Sequence, residues 1–158
     1  MELTTITSAL AAISLGLTAG ALWTEGAILV PFWRSLPPPA FLGWYKEYAA
    51  LLQKFFGALE VAAAVLTTVA AILSWISQAA GRYLLALSAL LVVVVLAVFP
   101  IYFQRANTSF AAGTIAISQI AEELRRWSHW HWFRTMIALL AFISAVAALM
   151  RCTVASAS

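Results

Sequence analysis

Residues Phe55 to Ile76 read FFGALEVAAAVLTTVAAILSWI, an apolar stretch interrupted by one ionisable side chain, Glu60. A helix rises about 1.5 Å per residue, so a stretch of this length crosses a hydrocarbon core about 30 Å thick. Its small and polar residues are ordered. Gln53, Gly57, Glu60, Ala64, Thr67, Ala71, Ser74 and Gln78 follow at alternating steps of four and three, which puts them on one stripe of a helix and leaves the other face for lipid. A carboxylic acid on a membrane helix needs partners or water, so the stripe must face other helices.

Three further apolar stretches flank this one, Leu3 to Val30, Tyr83 to Phe103 and Trp132 to Met150. Together they predict an all-α integral membrane four-helix bundle of up-down topology, a single domain over residues 1–158. Composition agrees: 64% of residues are hydrophobic and 9% charged, against roughly a quarter charged in a soluble domain. Before the first stretch stand Glu2 and no Lys or Arg, which argues against a secretory signal and for a retained span. The single Cys152 excludes an intrachain disulfide, and no zinc-spaced Cys/His cluster exists.

The first and third links hold Arg34, Lys46, Arg105, Arg125 and Arg126, with Lys54 and Arg134 just inside the neighbouring helices; the opposite side has Arg82 and Arg151. By the positive-inside rule those two links face the cytoplasm and both termini face outward. The net charge of +3 then reflects topology and gives no nucleic-acid footprint. Asn107-Thr108-Ser109 has the form of a glycosylation acceptor but falls on the cytoplasmic side.

Within the links, Pro37-Pro38-Pro39 stops a helix, and Ala40 to Leu52, with Trp44, Tyr45 and Tyr48, reads as an interfacial lead-in to the second span. In the third link Phe110, Thr114, Ile117, Ala121 and Leu124 recur at helical spacing opposite Ser118, Glu122 and Arg125, which predicts an interfacial amphipathic helix between spans three and four. Spans one and three share an ending of Pro, aromatics and Arg (Pro31 and Arg34; Pro100 and Arg105), a faint internal repeat.

In span four, Trp127, His131, Arg134, Ala138, Ala141, Ala145, Ala148 and Cys152 form a second inward stripe of small residues, of the kind that lets membrane helices approach closely. Span one offers Thr7, Ser14, Thr18, Ala21 and Glu25. Span three is a Val/Leu run whose middle, Val92 to Leu96, is expected to face lipid. An up-down bundle brings Glu25, Gln53, Glu60, Gln104, Asn107, His131 and Arg134 to one end, which predicts a polar-mouthed pocket walled by Trp23, Phe56, Trp127 and Trp130. The same residues admit a static reading, in which Glu60 only neutralises Arg134 and the Trp residues anchor the interface. For a metal the set is thin. His129 and His131 are two apart, about 200° around a helix at 3.6 residues per turn, which leaves one imidazole and two carboxylates.

The element Trp127-x-x-Trp130-His131-x-x-Arg134-Thr135, the span-one ending Val30-Pro31-Phe32-Trp33-Arg34-Ser35-Leu36-Pro37, and Pro100 closing span three resemble the small four-helix membrane proteins of the anthrone-oxygenase-like family. The resemblance spans nearly the whole chain, and Trp130, His131 and Arg134 carry its most specific part. It implies oxidation of an anthrone to an anthraquinone by dioxygen, with no metal or flavin cofactor. His131 would be the base, Arg134 would stabilise the enolate oxygen and Glu60 would orient one of them. Trp127, Trp130, Asn107 and Glu25 would bind an aromatic or quinone-like substrate. The rival reading is a non-catalytic subunit that packs against a larger pigment- or quinone-containing membrane complex.

Overall fold

A computed structural model describes the backbone of residues 3–155 and the side chains of residues 3–152; Glu2 lies outside the described residues. Every regular element among them is helical. Four long helices dominate: α1 (Leu3–Ser35), α2 (Pro38–Ile76), α3 (Arg82–Ala112) and α4 (Ile120–Ala155). All four are long and apolar enough to span a membrane.

α1 packs along α2 and α4, and α3 packs along the same two, so α1 and α3 lie across one diagonal of the bundle and α2 and α4 across the other. Thr4 near the start of α1 lies 3.4 Å from Ser77 just past the end of α2, and Gly81 before α3 lies against Ala148 late in α4. Among apolar lipid tails, close van der Waals approach and interhelical hydrogen bonds take the place of hydrophobic burial in holding helices together. This chain uses both. Ala11, Ala12, Ala63, Ala64, Ala70, Ala141, Ala145 and Ala148 fill the seam, and Ser88 Oγ donates to the Ala141 carbonyl at 2.7 Å.

The inward stripe of α4 is found where periodicity puts it, and that of α2 holds from Glu60 to Ser74 with Ala71 half-buried, while Gln78 lies past the end of the helix and is exposed. Glu60, Ala64, Thr67 and Ser74 are buried, as is each of the eight α4 residues from Trp127 to Cys152 named above. Gln53 and Gly57, at the start of the α2 stripe, are exposed along a cavity. α3 corrects the expectation of a lipid-facing middle: Val92 and Val95 are core residues, whereas Val93 is 52% exposed. Within a Val/Leu run every face has the same polarity as lipid, so composition gives no contrast; Ser88, in register with Val92 and Val95, was the only marker of phase.

Two link readings are also corrected. The residues after Pro37 are not a separate lead-in: Leu36 is extended, and Pro38 and Pro39 occupy the first turn of a continuous 39-residue helix, where a missing N–H costs nothing. Nor is there an independent amphipathic helix between spans three and four. α3 continues to Ala112, Gly113 ends it with φ of 64°, and a short 3₁₀ turn at Ile117–Gln119 leads into α4. Phe110 and Leu124 therefore belong to different long helices, yet both are buried in one aromatic-rich cluster with Val30, Trp33, Phe41, Tyr45, Phe103 and Trp127. That cluster closes the end of the bundle where α1 and α3 finish and α2 and α4 begin.

The prolines shared by spans one and three have a structural counterpart. α1 widens into a π-helical turn at Glu25–Leu29, just before Pro31, and α3 does so at Phe99–Phe103, around Pro100. A proline ring inside a helix removes one N–H and crowds the carbonyl four residues back, and a wider turn accommodates both. The first of these turns presents Glu25 to the site.

Candidate functional site

Where the Ala/Ser seam meets the aromatic cap, four charged or titratable side chains are buried together: Glu25, Glu60, His131 and Arg134. Arg134, one turn after His131 on α4, is the hub. Its Nη1 lies 3.1 Å from Glu60 Oε1 on α2, and its Nη2 lies 3.4 Å from Glu25 Oε2 on α1 and 3.3 Å from His131 Nδ1. The Glu60 contact is an ion pair; Glu60 Oε1 and, separately, Arg134 Nε are buried without a hydrogen-bond partner. The guanidinium carbon sits 4.4 Å from the centroid of the Phe103 ring, a cation–π contact that favours the charge in a poorly hydrated place.

His131 is fully enclosed. Its Nε2 lies 2.8 Å from the Leu22 carbonyl oxygen, which can only accept, so Nε2 carries a proton, while Nδ1 faces Arg134 and Glu25. The Trp127 ring stacks on it with centroids 4.9 Å apart and planes 9° from parallel. Trp127 is held in turn by Nε1–H donating to Asn107 Oδ1 at 2.9 Å, and by an edge contact from Trp33. Gly26 makes room on α1: an added Cβ would meet His131 Cδ2 and Nε2 at 3.0 Å.

A cavity of about 750 Å³ lies between α2 and α3 and reaches this cluster, within the range of roughly 300–1,000 Å³ usual for small-molecule sites. Arg134, Glu25, Glu60 and Trp127 line it, with Tyr45 and Asn107; Leu52, Phe56, Phe99 and Phe103 supply apolar wall. His131 does not line it, and neither do Trp23 and Trp130. Trp130 instead stacks on Tyr102, with ring centroids 5.3 Å apart. Of the residues picked from sequence, Glu25, Glu60, Asn107, Trp127 and Arg134 thus share one chamber, His131 stands behind it and Trp130 outside it.

Glu25, Glu60 and His131 converge, but the space between them belongs to the Arg134 guanidinium. Among the described residues no group of three or more His, Cys, Asp or Glu side chains is placed to hold a metal ion. His129 is exposed on the outer face of α4, as the 200° argument required.

Sequence reasoning missed Tyr45, Phe103 and Gly26. The headgroup preference of Trp and Tyr reads Tyr45 as interfacial, yet it is buried against the cavity. Its spacing of four from Phe41, also buried, was the available signal. No protein-family model matches this chain, and neither does any curated protein or solved structure.

Proposed function

We propose that this chain spans the membrane as an up-down bundle with the aromatic-capped end toward the cytoplasm and both termini on the other side, and that its cavity binds a polycyclic phenolic or quinone-like molecule and oxidises it with dioxygen. The orientation rests on the Lys and Arg of the first and third links, which belong to the capped end. One observation carries the chemistry: a buried guanidinium flanked by two carboxylates lines an otherwise largely apolar chamber of the right size for a tricyclic ring system.

An anthrone loses a proton from its methylene carbon to give an aromatic phenolate. Arg134 supplies positive charge for that oxygen, and a carboxylate that lines the chamber accepts the proton; Glu60, which pairs with Arg134 through Oε1 alone whereas Glu25 Oε2 faces both Arg134 and His131, is the better placed. The carbanion then adds dioxygen at carbon, the resulting peroxide takes a proton, and loss of water leaves the ketone. One anthrone and one dioxygen give one anthraquinone and one water. His131 acts behind the chamber as a positioning residue that holds Arg134 through Nδ1. This moves the base from His131, the choice that the family resemblance implied, to a group that can touch the substrate.

The test is dioxygen uptake by the purified protein in lipid nanodiscs with a dihydroxyanthrone, above the rate of spontaneous oxidation. The expected result is one dioxygen consumed per quinone formed, and a loss of about 10²–10⁴-fold in Glu60→Gln, the usual contribution of a positioned base. His131→Asn should lower kcat while quinone product still binds. Uptake by wild type no faster than spontaneous oxidation, or full turnover by Glu60→Gln, would overturn the mechanism.

A further inference from the structure

The cavity is a cleft whose opening changes character along its length. At one end its rim is polar, with exposed Gln53 on α2 and exposed Gln104 and Thr108 on α3. Toward the bundle centre the rim becomes Gly57 and Val61 on α2 and Leu96 on α3. Gly57 and Val61 are exposed, and both lie within the apolar stretch that begins at Phe55. Gly57 lies about 3 Å and Val61 about 9 Å along the helix from Phe55, so with residues 55–76 across a bilayer Gly57 stands at the edge of the hydrocarbon and Val61 within it.

Gly57 sits in the middle of a helix, where glycine costs stability relative to alanine. Close packing accounts for several of the other glycines: a Cβ would meet His131 at Gly26, Phe142 at Gly16 and the Ala148 backbone at Gly81. At Gly57, as at Gly20 and Gly43, an added Cβ would meet nothing within 4 Å, but of these three Gly57 is the one that lines the cavity. No neighbouring helix requires the glycine; what it leaves is open space at the edge of the chamber. Past it, at the inner wall, stands the Arg134 guanidinium, nine-tenths buried, with a donor at Nε that no protein atom satisfies.

We infer that the cavity takes its ligand from the bilayer, through a side opening between α2 and α3 at Gly57, and that the ligand is a membrane-dissolved apolar molecule whose oxo or acidic hydroxyl head reaches Arg134. The inference rests on reading the chamber as a ligand site and does not depend on turnover.

Two measurements test it. The first is the stopped-flow visible absorption change when a dihydroxyanthraquinone, inert to the proposed oxidation, is mixed with protein in phosphatidylcholine nanodiscs. Gly57→Leu, whose side chain has room to fold into the opening, should slow association at least tenfold, and Gly20→Leu, another exposed helical glycine away from the cavity, should leave it unchanged. The second is a nitroxide at Gly57→Cys in a Cys152→Ser background, which should collide with dioxygen far more often than with a water-soluble nickel chelate. Equal association rates for Gly57→Leu and wild type, or a nitroxide reached mainly by the nickel chelate, overturn lipid-side entry and leave the ligand site standing. No binding by wild type overturns the entry route and the ligand site together. Binding without oxidation removes the oxygenase reading alone.

Discussion

Arg134→Met is the substitution with the largest calculable consequence. It keeps an apolar stem of similar length against Phe103 but strands Glu25 and Glu60, each nine-tenths or more buried and each within 3.4 Å of the lost guanidinium. Removing one partner of a buried ion pair costs about 3–5 kcal/mol because the other charge stays buried without compensation. For a chain of this size 1 kcal/mol corresponds to about 2–4 °C, so the melting temperature should fall by about 6–20 °C. The assay is tryptophan-monitored thermal unfolding in one detergent at one protein concentration. Glu25→Gln and Glu60→Gln together with Arg134→Met remove the stranded charges, and neutral replacement of a buried ion cluster is close to isoenergetic, so at least half of the loss should return. A melting temperature for Arg134→Met within about 2 °C of wild type, or a triple variant no better than the single one, would show that these carboxylates are hydrated or neutralised by another route.

Gly81→Ala places a Cβ 2.7 Å from the Ala148 carbonyl oxygen, a backbone atom that cannot rotate away, so α3 and α4 must part and stability should fall by about 1–3 kcal/mol in the same unfolding assay. Asn107→Leu removes the acceptor for the Trp127 indole N–H, at a cost of about 1–3 kcal/mol for the unsatisfied donor, and should broaden the tryptophan emission as Trp127 loses its fixed position over His131. His131→Ala opens a hole under Trp127 and releases Arg134 Nη2, so it should lower stability by about 2–5 kcal/mol. A variant as stable as wild type would show that the imidazole is not part of the packed core.

The residues that could be read without a structure are those whose polarity contrasts with lipid. Glu60, Thr67 and Ser74 on α2, and Arg134 with its Ala ladder on α4, show their inward face because a small or polar group among Val and Leu has only one tolerable direction in a bilayer. Membrane-scale length and the gathering of Glu25, Glu60, Asn107 and Arg134 at one end follow from the same spacing. Contacts between apolar groups were not legible. Val92 and Val93 are the same residue in the same run, and only packing against the other three helices decides that one is core and the other exposed. Tyr45 reads as interfacial beside Trp44 and Tyr48, and only the aromatic cap encloses it. Likewise, sequence put His131 on the inward stripe, but only the approach of α1 at Gly26, with the Leu22 carbonyl on one ring nitrogen and Trp127 over the face, sets the imidazole behind the chamber and leaves Arg134 in front. Helical periodicity fixes an angle around one helix axis; which neighbour meets that angle, and at what depth, depends on all four helices at once.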